Sequence, residues 1–118
     1  MAAKDEVGRY GEDVAARTLA DQGWHVLARN WRCAEGELDI VAIDDGALVA
    51  VEVKTRRTST FGSPQEAVTR SKLHRIRRLV AAWLASQPNS YPSVRVDVMA
   101  VTVARAGAAK IEHLRGVE

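Results

Sequence analysis

Apolar positions along the chain recur first at helical spacing, then at every second residue, then at helical spacing again, before a last alternating stretch. Residues 6–22 are predicted as an amphipathic helix with Val7, Tyr10, Val14 and Thr18 along one stripe. Gly8, Gly11, Ala15 and Leu19 form an adjoining stripe of mostly small residues, suited to close packing on a sheet. After Gly23, the segment WHVLARNW (24–31) reads as a strand. Residues 37–43 and 47–54 read as two strands joined by Asp45-Gly46, the strongest short hairpin signal. The loop TRRTSTFG then leads to Ser63, Pro64 and Glu66, a capping box with proline at the first helical position. A helix over residues 70–87, a strand over 93–103 and a short last strand at IEHL complete the chain. The order α-β-β-β-α-β-β predicts a mixed α+β fold, with a central mixed sheet flanked by helices. At 118 residues, one domain spanning 1–118 is expected.

The hairpin carries charges that its own stability does not ask for. A two-residue turn at Asp45-Gly46 pairs residues whose numbers sum to 91, so Leu38, Ile40 and Ala42 face Val53, Val51 and Val49. That face is wholly apolar and is predicted core. The other face pairs Ile43 with Leu48 and Val41 with Ala50, then Asp39 with Glu52 and Glu37 with Lys54. Like charges directly opposed on a strand pair destabilise it. Paired carboxylates suit a hard divalent cation such as Mg²⁺ or Mn²⁺, which takes oxygen ligands and is often shared with a phosphate. Lys54, on the same face as Glu52, is placed to orient a water or neutralise charge developing on that phosphate. The alternative at this point is a surface ion network of Glu37, Glu52 and Lys54. Glu37 is read as an ion-pair partner of Lys54 rather than as a ligand.

Charge is partitioned along the chain. The formal net charge is only +2, yet residues 5–52 carry four basic and eleven acidic side chains, and residues 54–78 carry eight basic and one acidic. A segment that basic suggests a polyanionic partner, most simply nucleic acid; the alternative is a solvated helix face. Cys33 is the only cysteine, which rules out an intrachain disulfide and fits a reducing compartment. His25, His74 and His113 show no zinc spacing. No apolar run approaches the length of a membrane span, and MAAKDEVGRYGED lacks a signal peptide's apolar core, so a cytoplasmic location without membrane contact is expected.

Asp39 followed by Glu52-Val53-Lys54 on the next strand resembles the D…(D/E)-x-K signature of restriction-endonuclease-like nucleases. The surrounding segments GRYGEDVAARTLADQGWHVLARNWRC, GELDIVAIDDGALVAVEVKTRR, FGSPQEAVTRSKLHRIRRLVAAWL and RVDVMAV closely resemble the YraN family of small bacterial proteins, over almost the full chain. The resemblance implies a restriction-endonuclease-like three-layer fold, similar to archaeal Holliday-junction resolvases. It further implies that Asp39, Glu52 and the Val53 carbonyl hold Mg²⁺ or Mn²⁺ and that Lys54 is catalytic. Glu12, on the first helix, would complete the shell or bind a second ion. The usual proline before the first aspartate is Leu38 here, which leaves the carboxylate unaffected.

On the second helix Leu73, Ile76, Leu79, Val80, Trp83 and Leu84 occupy one arc, while Arg70, His74, Arg75, Arg77 and Arg78 spread over the other side. Arginines without interleaved aromatics suit phosphate contact better than base reading. Trp24, Trp31 and Trp83 are expected to pack. Lys72 falls on the apolar side of the first turn, from where it either snorkels to the surface or reaches toward the active face. Arg56 and Arg57 begin the loop after the lysine strand and are expected to close on a phosphate backbone. Two functions compete: a metal-dependent, sequence-independent, structure-selective DNA nuclease, and a non-catalytic nucleic-acid-binding adaptor in a DNA-processing complex. The resolvase likeness adds a homodimer as a candidate partner, and the adaptor reading a DNA-processing protein.

Overall fold

A computed structural model describes residues 5–57 and 68–118. Along the chain lie α1 (Glu6–Asp21), β1 (His25–Cys33), β2 (Gly36–Asp44), β3 (Ala47–Arg56), α2 (Arg70–Ala85), β4 (Val94–Thr102) and β5 (Lys110–Leu114), the predicted order. The strands form one sheet in the order β1-β2-β3-β4-β5, antiparallel throughout except for the parallel pair β3–β4. A parallel pair needs a long crossover, and α2 lies in it. The result is helix, sheet and helix in three layers. No helix among the described residues is long and apolar enough to cross a membrane.

Each helix starts on a side-chain cap. Asp5 Oδ1 accepts the Gly8 N–H at 2.7 Å, and Thr69 Oγ1 accepts the Lys72 N–H at 3.1 Å. The predicted capping box at Ser63, Pro64 and Glu66 lies outside the described residues.

On α1 the buried stripe is Gly11, Glu12, Ala15 and Leu19. The stripe expected to be the apolar one is its flank, with Tyr10 45% exposed. Gly11 explains the choice: a Cβ built there would overlap the Thr55 side chain, so α1 lies almost directly on β3. Only a residue without a side chain permits that approach.

Both faces of the hairpin are core, where one was expected. Toward α1, Ile40, Ala42, Val49 and Val51 pack with Ala15, Leu19 and Trp24. Toward α2, Val41, Leu48 and Ala50 pack with Leu73, Ile76, Leu79 and Trp83. A sheet covered by helices on both faces has no polar side. Trp24 and Trp83 are buried and Trp31 half-buried, as expected of packing residues.

The hairpin register is the predicted one: Asp44, Ile43, Ala42, Val41 and Ile40 pair with Ala47, Leu48, Val49, Ala50 and Val51. Asp45 at φ 49° and Gly46 at φ 87° supply the two positive φ angles of a type I′ turn. The ladder then ends. Leu38 packs in the α2-side cluster together with Val41, three residues away, so strict alternation breaks between them. On the neighbouring strand Asn30 takes φ 52°, between the pairs Arg29–Ile40 and Trp31–Leu38. Asparagine tolerates this left-handed conformation better than most residues. The kink carries Leu38 to one face of the sheet and its neighbours Glu37 and Asp39 to the other.

Candidate metal and nucleic-acid site

The break in alternation turns Glu37 and Asp39 toward α1, where Glu12 is buried at 4% exposure. Carboxylate oxygens of Glu12, Glu37 and Asp39 lie within 4.8 Å of one another. Asp39 Oδ2 accepts the Val53 N–H at 2.9 Å. A side chain thus takes a backbone donor of β3 just where the ladder with β2 has stopped. Glu37 Oε2 accepts from Arg32 Nε at 2.7 Å, across the β1–β2 pair that sets these two residues opposite each other.

Glu52 reaches the same place from β3, on the α2 side. Its carboxyl is pushed up to about 7, by burial first and by the charge of Asp39 next, against the opposing pull of Lys72. Lys72 Nζ lies 2.5 Å from Glu52 Oε2. A single cleft of about 300 Å³ is lined by Glu12, Asp39, Glu52, Val53, Lys54 and Lys72, together with the start of α1 and Thr55.

The structure thereby brings together all the residues that the sequence assigned to chemistry, but not in the expected way. Asp39 and Glu52 are not a ladder pair, because β2 and β3 part after Ile40–Val51. Glu37 finds its ion-pair partner in Arg32 rather than in Lys54 and stands with the carboxylates. The sequence could have shown this had β1 been carried past Trp31: Cys33 pairs with Gly36, which makes Arg32 the cross-strand neighbour of Glu37. Lys72 turns into the site.

The basic residues divide. Lys72, Arg75 and Arg78 line a concavity of about 370 Å³ with Thr69 and Ser71. Arg77 instead borders an apolar groove of about 410 Å³ with Val80, Ala81, Leu84, Val94 and Val96, away from that row. Arg70 is exposed at the start of α2, Arg56 is half-buried at the end of β3, and Arg57 follows exposed. The loop from Thr58 to Thr60 lies outside the described residues.

The donor set fits a hard divalent cation. All its side-chain ligands are carboxylate oxygens, and ions such as Mg²⁺ or Ca²⁺ hold oxygen at about 2.0–2.6 Å, so ligands across one ion stand about 4–5 Å apart.

A model of the family described as uncharacterised protein family UPF0102 matches residues 11–101. The chain belongs to this family. A UPF0102 protein of Beutenbergia cavernae is 59% identical over 117 residues, covering 99% of each chain. One from Kineococcus radiotolerans is 54% identical over 98% of this chain and 95% of its own, and one from Frankia casuarinae 53% over 98% of each. Full-length kinship with UPF0102, the YraN family, is thus plain, while these names state no activity. The chemistry has to be read from the cleft.

Proposed function

We propose that this protein is a metal-dependent nuclease that hydrolyses phosphodiester bonds of DNA without sequence preference, selecting branched, flapped or single-stranded substrates. The observation that carries the reading is the meeting of Glu12, Asp39, Glu52 and Lys54 in one cleft, delivered by three separate elements. Side-chain carboxylates rarely crowd unless something between them repays the repulsion. Glu12, Glu37 and Asp39 would hold Mg²⁺ or Mn²⁺, with Glu52 and the Val53 carbonyl at its border. Bound there, the ion supplies Lewis-acid polarisation of a phosphate and a lowered pKa for water. Lys54, exposed at the cleft wall, steadies the charge that develops on the phosphate as the bond breaks. Arg56, Arg57 and the arginines of α2 hold the backbone through contacts that do not read bases.

One observation favours a non-catalytic nucleic-acid-binding adaptor as the second reading: Glu52 is ion-paired with Lys72, a protein cation at the place the nuclease reading gives to a metal. Calorimetric titration with Mn²⁺ separates the two. The nuclease reading expects binding that Asp39→Ala abolishes, and cleavage of branched or single-stranded DNA lost in Asp39→Ala and Lys54→Ala alike. Native protein that binds DNA but neither binds Mn²⁺ nor cleaves would leave the adaptor.

A further inference from the structure

Lys72 belongs to two cavities at once. It lines the carboxylate cleft, with its ammonium on Glu52, and it lines the basic concavity on the N-terminal half of α2. In that concavity Lys72, Arg75 and Arg78 stand three residues apart, on one helix face and along about 9 Å of axis. Arg75 and Arg78 form no ion pair with an acidic side chain among the described residues, and both are exposed. The hydroxyl-bearing residues Thr69 and Ser71 complete the lining. Two exposed arginines without an acidic partner among the described residues, with hydroxyls beside them and a lysine at the end of the row, suit phosphate oxygens.

We infer that this concavity seats the DNA phosphates next to the one being cleaved, and that Lys72 couples their binding to that of the metal. The inference rests on the nuclease reading above and adds to it an order of events. Free of DNA, the Lys72 ammonium stands beside Glu52 as the positive charge that a divalent ion would otherwise provide, which weakens the cleft's hold on the ion. A strand lying along Arg78, Arg75 and Lys72 offers the ammonium a phosphate instead. Glu52 is then released to the metal site, and the ion binds tightly only with DNA in place. By linkage the ion tightens DNA binding by the same factor.

The test measures binding rather than turnover. Mn²⁺ is titrated calorimetrically into native protein, alone and saturated with a short phosphorothioate single-stranded DNA. The expected result is Mn²⁺ affinity higher by about tenfold or more with the DNA present, within the usual range of such couplings. Lys72→Met should bind Mn²⁺ about tenfold more tightly than native protein without DNA and lose the DNA dependence, whereas Lys72→Arg keeps it. Arg75→Gln with Arg78→Gln, at exposed positions, should weaken the coupling and lower the slope of log affinity for single-stranded DNA against log salt by about 1.4. Mn²⁺ binding that is indifferent to DNA, or weaker in Lys72→Met than in native protein, overturns the coupling and leaves the nuclease reading standing. An unchanged salt slope in the arginine variant overturns the phosphate seat. Absence of Mn²⁺ binding with and without DNA defeats both readings together.

Discussion

The two ends of the sheet handle buried acid in opposite ways. At the hairpin end Asp97, fully buried on β4, is matched on every side. His113 Nε2 lies 2.9 Å from Oδ2, Arg95 Nε donates to Oδ1 at 3.0 Å, and the Gly116 N–H donates to Oδ1 at 3.0 Å. Arg95 also reaches Asp44 at 2.7 Å, Arg115 flanks Asp44 at 3.6 Å, and both guanidinium groups lie over the Trp24 ring. Burial pulls the Asp97 carboxyl up, yet the bonds from His113, Arg95 and Gly116 outweigh it and hold the group below its ordinary range. At the other end carboxylates face one another, and burial with Asp39 drives Glu52 up in spite of Lys72. One end has enough positive charge to be a structural joint between the hairpin and the C-terminal residues. The other gathers Glu12, Glu37 and Asp39 and sets Glu52 between the Asp39 charge and Lys72, the arrangement on which the proposed metal site rests.

Substitutions at the two ends should therefore have opposite signs. Asp97→Asn removes the buried charge that Arg95 and His113 are paired with and should cost about 3–5 kcal/mol at neutral pH, measured by denaturant unfolding. Because the native carboxyl titrates below the unfolded one, its contribution is present above the unfolded pKa of 3.8 and fades only as pH falls through the lower folded value. A loss under 1 kcal/mol would mean the network is decorative. Glu52→Gln should instead stabilise the metal-free protein. Its folded pKa is raised from 4.5 to about 7, so the native state holds the proton longer than the unfolded chain, and stability falls as pH rises through that window. A shift of that size is worth at most about 3 kcal/mol, so a gain of roughly 1–3 kcal/mol is expected near pH 8 and none below pH 4.5. A destabilised Glu52→Gln at pH 8 would show that the Lys72 pair outweighs the crowding.

The contrast between the ends was only partly legible in the sequence. Elements, their order and the hairpin register followed from periodicity and from Asp45-Gly46, because these are local properties. The meeting of Glu12 with Asp39 came from resemblance, with one sign in the helix itself: its angle borders the stripe of Gly8, Ala15 and Leu19 rather than the far solvent side. Two things stayed hidden for physical reasons. Alternation continues without interruption through Glu37, Leu38, Asp39 and Ile40, so the break at the site shows only in the single Asn30 of the neighbouring strand. Asp97 is a lone acid in an apolar strand, and its partners stayed hidden because His113 and Gly116 come from the far side of the β4–β5 connection.

Gly11→Ala tests how tightly the site end is built. The added methyl gains up to about 1 kcal/mol of helix propensity. It also collides with Thr55, and overpacking of this kind costs about 1–3 kcal/mol. A net loss of about 1–2 kcal/mol is expected in thermal or denaturant unfolding, with weaker Mn²⁺ binding because Glu12 is the next residue of the displaced helix. Thr55→Ala in the same chain should restore part of both. If Gly11→Ala is neutral and binds Mn²⁺ normally, α1 can shift without disturbing the carboxylates.

The smallest effect probes the kink itself. Asn30 is exposed, so its side chain contributes little packing, and its φ of 52° is the feature that matters. Asn30→Gly keeps that conformation accessible, whereas Asn30→Ala pays the steric cost of a left-handed residue, about 1 kcal/mol. Asn30→Ala should therefore be less stable than Asn30→Gly by about that amount, the reverse of the order expected at an ordinary strand position, where glycine is the weaker residue. The same pair should separate in Mn²⁺ affinity, since relaxing Asn30 to regular strand geometry turns Leu38 back toward α1 and carries Glu37 and Asp39 away from Glu12. Equal stability and equal affinity would mean that the strands part because the carboxylates pull them apart, and that Asn30 merely follows.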